Sequence, residues 1–189
     1  MTALDHILTK EVISADAKII GTVGGIAVDS DNWKVPAVQL VVKKGNEEVL
    51  GLKKKTLGAQ KVFVATTQVS SVTDTVTLAI KMDQVKEVLV DNKKVPVTHD
   101  DLLKKKVVTT DGKQVGVLDD ITFEGGKSWE ITQISIKLDK TAKEPLDQKK
   151  VSSVTILVKD VKTIGDMVML RLDMDGLKDY LARKPVSKK

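Results

Sequence analysis

The stretch TTDGKQVGVLDDITFEGGKSWEITQISIKL, Thr109 to Leu138, repeats the pattern of SADAKIIGTVGGIAVDSDNWKVPAVQLVV, Ser14 to Val42. A displacement of 95 residues places Asp5 on Asp100, Val12 on Val107, Asp16 on Asp111, Lys18 on Lys113, Gly21 on Gly116 and Ile26 on Ile121. At 96, Trp33 meets Trp129, Val35 meets Ile131, Val38 meets Ile134 and Leu40 meets Ile136. At 92 the register returns with Val69/Val161, Asp74/Asp166, Val76/Val168 and Leu78/Leu170. The chain has two tryptophans, and they coincide. A repeat of this extent constrains the fold more than any composition, because each copy must be one structural unit. A tandem duplication therefore divides the 189 residues into two small domains.

Each copy reads as strands. Val107-Val108 runs into Asp111-Gly112, a dipeptide that supplies positive φ for a tight hairpin of type I′. The first copy has Asp16-Ala17 there, without the glycine. Beyond the turn, Gly116 and its match Gly21 stand inside strands, which predicts a bulge or bend, a strained backbone and a sheet that curls. WEITQISIKL alternates apolar and polar residues with the period of a half-buried strand. SSVTILVKDV and GDMVMLRLD add two more strands, with Gly165-Asp166 as a turn. Five or six short strands separated by turn signals point to a small barrel. A short helix follows in each copy, with Asp83 and Asp175 as expected N-caps. The predicted fold class is mainly β: two tandem small β-barrels, each closed by a short C-terminal helix. The first barrel spans 3–90, a linker 91–97, the second barrel 98–182 and a flexible basic tail 183–189.

Composition then narrows the function. Cysteine is absent, which removes thiolate chemistry, disulfides and cysteine-type zinc sites. Only 3% of residues are aromatic, so the core has to be built from Val, Ile and Leu. No apolar run approaches the ~20 residues of a membrane span, and MTALDHILTKEV lacks the basic start of a secretory signal. The expectation is a soluble cytoplasmic protein. Net charge is +5, but Met1–Val95 carries 13 basic against 11 acidic residues and the remainder 18 against 15. Neither half is a basic module, and the runs Lys53–Lys55 and Lys104–Lys106 read as solvated strand ends or loop tips.

Candidate chemistry is sparse. His6 and His99 lie near the start of each copy, but the nearby acids Asp5, Asp100 and Asp101 do not have the spacing of a metal site. Asp29/Asp31 and Asp119-Asp120 read as turn formers rather than paired catalytic carboxylates. VGGIAVDSD has a glycine pair without the strand-to-helix context of a phosphate loop. No catalytic, cofactor or metal residue is assigned, and the expectation is a protein that is not an enzyme. Asp16, Gly21, Asp111, Gly112 and Gly116 are structural turn and bend residues. Trp33, Trp129 and Tyr180 are the candidates for partner docking.

The segments TDGKQVGVLDDITF and ADAKIIGTVGGIAV, each followed by an alternating strand, resemble the PRC-barrel family. That family includes the small β-barrels of the photosynthetic reaction-centre H subunit and of the ribosome-maturation factor RimM. The resemblance covers about 3–90 and 98–182. It implies the barrel fold closely and the function loosely. A chain of two barrels is most similar to the short soluble PRC-barrel proteins of archaea, which act with the division protein FtsZ and its adaptor SepF. What this resemblance implies is a cell-division adaptor or scaffold, recruited to the division site. Its partners would be SepF or other PRC-barrel proteins, with self-association open. A RimM-like ribosome or RNA-binding role is the alternative.

Overall fold

The computed structural model describes residues 1–53, 57–91, 95, 97–126 and 128–183. Most of the expected linker at 91–97 and nearly all of the expected tail at 183–189 lie outside these residues. The first copy runs β1 (Thr2–Ala3), α1 (Leu4–Ile7), β2 (Glu11–Ile13), β3 (Ile19–Val28), β4 (Ala37–Val42), β5 (Lys61–Ala65), β6 (Val69–Val72), β7 (Val76–Leu78) and β8 (Leu89–Val90). The second runs β9 (Val97–Thr98), α2 (His99–Leu102), β10 (Lys106–Val108), β11 (Gln114–Phe123), β12 (Ile131–Leu138), α3 (Lys140–Lys143), β13 (Ser153–Leu157), β14 (Val161–Ile164), β15 (Val168–Leu170) and α4 (Met174–Arg183).

The protein is mainly β, with one curled sheet for each copy. The sheet orders are β6-β7-β2-β3-β4-β5-β8 and β13-β12-β11-β10-β15-β14, each an open half-barrel. In both, the short strand after the first helix pairs parallel with the last strand of the final hairpin, β2 with β7 (Val12 with Val76) and β10 with β15 (Val107 with Val168). By packing, the chain forms two compact units. The first comprises Met1–Asp101 with Thr122–Ile131, and the second Leu102–Ile121 with the residues from Thr132 onward. The core of the first is aliphatic, with Val12, Ile20, Ile26, Leu40, Val64 and Leu78 all buried. In the second, Val107, Val115, Leu118, Ile136, Ile156 and Leu170 are likewise buried. Alternation along β4 turns Val38, Leu40 and Val42 to one face, as a strand period of two requires.

The curl has a local cause. Val12 pairs with Gly21 but Ile13 with Ile19, so Ile20 is an extra residue in β3; Val107/Gly116 and Val108/Gln114 repeat the shift in β11. Such bulges increase local twist. The glycines serve close approach rather than backbone strain, since neither has a positive φ. A Cβ on Gly21 would collide with the carbonyl of Val41, and one on Gly116 with the carbonyl of Lys137.

The hairpins differ from the expected two-residue type. In the second copy, Gly112 N–H donates to Thr109 O (3.0 Å) and Thr109 N–H to Lys113 O (3.0 Å), which encloses three residues. Ala17 N–H to Ser14 O (3.0 Å) and Ser14 N–H to Lys18 O (3.0 Å) make the same loop in the first. A three-residue loop needs one left-handed residue where type I′ needs two, and that residue is Gly112 at φ 77° or Ala17 at φ 60°. An alanine is therefore accommodated where a type I′ turn would resist it.

A short helix closes each copy as expected, and the differences lie in its type and its cap. In the first copy the segment Met82–Val88 is a 3-10 helix, and only the second copy ends in a true α-helix. Asp173, not Asp175, caps α4 by accepting Gly176 N–H at 2.8 Å.

Two measurements follow from these geometries. Gly116→Ala should destabilise by about 1–3 kcal/mol through overpacking, whereas Gly165→Ala, with open space around the new methyl, should stay within about 0.5 kcal/mol. Ala17→Gly should raise stability and Gly112→Ala lower it, each by about 1 kcal/mol. Urea unfolding of the four variants checks both pairs of signs.

Candidate interaction surface

The sequence-selected turn residues are occupied in holding their loops. Ser14 Oγ donates to Asp16 Oδ1 (2.7 Å), accepts Lys18 N–H (3.1 Å), and Lys18 Nζ reaches Asp16 Oδ2 at 3.2 Å. Thr109, Asp111 and Lys113 reproduce the set at 2.6, 3.2 and 3.0 Å. Asp16 also accepts the backbone N–H of Met82 at 2.9 Å, tying the hairpin to the 3-10 helix. The Ser14 hydroxyl and then the Met82 N–H hold the Asp16 carboxyl well below the usual range. The Thr109 hydroxyl and then Lys113 hold Asp111 below it as well. The expected turn former Asp29 accepts N–H bonds from Asp31 and Asn32, both at 3.1 Å, and the Asn32 side chain lowers its pKa first.

The two tryptophans occupy matching backbone positions, at φ 51° for Trp33 and 55° for Trp129. Their carbonyls are traded: Trp33 O accepts Ile131 N–H at 2.7 Å, and Trp129 O accepts Val35 N–H at 2.9 Å. The backbone of Lys34 pairs antiparallel with those of both Asp29 and Glu130. Two further exchanges run in parallel within the same compact unit. Val97 and Thr98 pair with Val28 and Ala27 of β3, while Thr2 and Ala3 pair with Phe123 and Thr122 of β11. Each of these contacts within the first unit has its counterpart with the two sequence repeats interchanged.

The docking candidates fare differently. Trp129 is buried and stacked on Phe123, with ring centroids 5.6 Å apart. Trp33 is half-buried, and its counterpart of Phe123 is Val28, which offers no ring. Tyr180 belongs to the second unit, where its hydroxyl accepts Leu157 N–H at 3.2 Å. Beside Trp129 a groove of ≈420 Å³ runs past Pro36, Thr66, Thr67, Val69 and Ser128.

A second concave surface was not anticipated. On the first unit, two hollows of ≈290 and ≈450 Å³ share Ile19 and Lys43. Gly21 and Val41 line one of them, Val49 and Met82 the other. Val49 is 44% exposed, one of few large apolar side chains so open among the described residues. In the second copy the positions of Ile19 and Lys43 hold Gln114 and Asp139, joined by a 2.6 Å side-chain hydrogen bond. Those of Val41 and Val49 hold Lys137 and Pro145. The scaffold is thus common, and this face is not.

The histidines part company as well. His6 is exposed, whereas His99 is 4% exposed and accepts Ile26 N–H on Nδ1 at 3.4 Å. Displacement by 95 aligns His99 with Leu4, not with His6, and that mismatch was the sequence signal for a special histidine.

Comparison with known proteins gives little beyond this geometry. No family model matches the sequence, and no curated protein matches it either. Among solved structures, the chain is similar to one assigned as the 16S ribosomal RNA processing protein RimM of Pseudomonas aeruginosa. Identity is 11% over 82% of this chain and 98% of that one, at a TM-score of 0.29. A likeness of that degree carries no argument about function.

The hairpin carboxylates predict a pH response. A carboxyl held below its unfolded value contributes stability that is present above about pH 4 and is lost as pH falls through the folded value. The melting temperature should therefore drop between about pH 4 and pH 2, and the Asp16→Asn/Asp111→Asn double variant should start lower but drop less. Equal slopes for the two proteins would contradict the assignment.

Proposed function

We propose that this chain is a non-enzymatic adaptor that works by binding other proteins, with the hollowed face of its first copy as the docking surface. The observation that carries the reading is the contrast between equivalent positions. Ile19, Val41, Lys43 and Val49 line a concave face where, at the matching positions, Gln114 and Asp139 bond to each other. Duplication lets one copy keep the shared scaffold while the other diverges to meet a partner.

Two further placements support it. Of the carboxylates that resembled catalytic pairs, Asp29 serves as a turn acceptor for Asp31 and Asn32, whereas Asp119 and Asp120, expected at a turn, lie inside β11, where Asp120 accepts Ile121 N–H at 2.8 Å. Binding of single-stranded nucleic acid relies on exposed aromatic platforms. Of the five aromatic residues, Phe63, Phe123 and Trp129 are buried, which leaves Trp33 and Tyr180 half-exposed, the Tyr180 hydroxyl being held by Leu157 N–H. Part of the basic run is structural too, since Lys105 Nζ donates to Gly165 O at 2.7 Å.

The finer reading, an adaptor among FtsZ- and SepF-type division proteins, rests on the sequence resemblance to archaeal PRC-barrel proteins. A role in ribosome maturation rests on the same resemblance through RimM. Capture experiments separate the two. Immobilised protein should retain division proteins at ~150 mM salt, where the screening length is about 8 Å. Val41→Glu should abolish that capture without changing the fold, and Lys137→Glu at the matching position should leave it intact. Retention of ribosomal proteins, or micromolar RNA binding at that salt, would replace this reading with the ribosomal one, because phosphate contacts weaken steeply as salt rises.

A further inference from the structure

Four side chains form one row across the sheet of the first unit. Glu11 of β2 pairs with Thr22 of β3, Thr22 with Val41 of β4, and Val41 with Lys61 of β5. Residues directly opposite each other share a face of the sheet. Their chain neighbours Val12, Val23, Leu40 and Val62 are buried on the other face. The row itself is open: Glu11 and Lys61 are exposed, Thr22 and Val41 half-buried. Three of its members, Glu11, Thr22 and Val41, line the smaller hollow.

The charges stand at opposite ends of the row. Three strand spacings, about 14 Å, separate β2 from β5, and the two residues between them are neutral. Among the described residues, neither Glu11 nor Lys61 has an ion-pair partner. Such a row is self-complementary. A two-fold axis parallel to the strands, passing between Thr22 and Val41, lays the row of a second copy over the first in reverse order. Glu11 of each copy then faces Lys61 of the other, and Thr22 of each faces Val41 of the other. Stacked sheets lie about 10 Å apart, a gap that glutamate and lysine side chains span from opposite sides while Val41 enters the hollow beside Thr22. Closed two-fold pairs are the commonest assemblies of identical chains.

The second unit has no such row. Matching positions hold Lys106, Val117, Lys137 and Ser153, with Lys106 paired to Val117 and Lys137 to Ser153. Reversing that row sets Lys106 against Ser153 and Lys137 against Val117, which covers cations without supplying an acid. Pairing is therefore confined to the first unit and stops at two chains. We propose that the row of Glu11, Thr22, Val41 and Lys61 binds the same row of a second copy of this chain. The inference rests on the reading of the hollowed face as a docking surface, and it names the occupant of that face in the protein alone. Another protein that docks there displaces the second copy.

Sedimentation of the full chain at about 100 μM, well above a micromolar dissociation constant, should show a two-chain species. Glu11→Lys and Lys61→Glu each set like charges against each other at both ends of the row. Each alone should weaken the pairing at least about tenfold. Mixing the two variants one to one restores opposite charges at both ends and should return the two-chain species as a heterodimer. Lys106→Glu, at the matching position of the second unit, should leave the pairing unchanged. A wild type that sediments as one chain, a dimer that survives both single variants, or a mixture that stays monomeric would each overturn the proposal. Capture by the immobilised protein reports on the docking surface separately. A monomeric wild type whose capture is still lost with Val41→Glu would overturn the second copy as occupant and leave the surface standing. A dimer that responds as expected, with capture retained by Val41→Glu, would support the pairing and remove the surface as a site for other proteins.

Discussion

The structure depends on two backbones approaching closer than a side chain permits. At Gly21 the strand β3 is flanked by Val12 on one side and Val42 on the other. A Cβ there would meet the Val41 carbonyl, and Gly116 repeats the condition against Lys137. Close approach and the adjacent bulge together turn a short sheet into a curved one. Curvature lets a small aliphatic core close with little aromatic volume, which a chain with two phenylalanines requires. The carboxylates of Asp16 and Asp111 then fix the hairpins that lead into these glycines.

On that scaffold the two copies exchange matching pieces. Entry strands cross to the partner copy's long strand, and the tryptophan carbonyls accept reciprocal N–H bonds. Exchange of this kind covers sheet edges that the separate repeats would leave open. Joining them in one chain makes the exchange intramolecular. It also removes the requirement that both copies stay alike, so Ile19 and Lys43 can form a hollow where Gln114 and Asp139 form a bond. Likewise a histidine replaces a leucine at one junction and not at the other.

Much of this was legible in the sequence because it is local. The strands follow from alternation, the hairpin positions from Asp16 and Asp111, and the curl from paired glycines. The burial of Trp129 was missed, since it stood among the docking candidates, although Phe123 in place of Val28 supplies the ring it stacks on. The turn type was not legible either, because the hydroxyls of Ser14 and Thr109 widen the loop to three residues and so relax the need for glycine. The exchanged strands were hidden for another reason. Two residues carry no periodicity, and pairing Thr2 with Phe123 is a long-range choice set by sheet edges rather than by local propensity. The hollowed face was invisible until the fold brought Ile19, Val41 and Val49 from three separate segments to adjoining hollows.

The central claim is that each copy supplies pieces that complete the other. It is tested most directly by producing residues 1–91 and 95–189 as separate chains and mixing them in an analytical ultracentrifuge. The account predicts a one-to-one complex, in which the amides of Val35 and Ile131 gain protection from exchange as they engage Trp129 and Trp33. Two folded fragments that sediment independently at about ten micromolar, a concentration at which complexes with micromolar or tighter dissociation constants form, would contradict it.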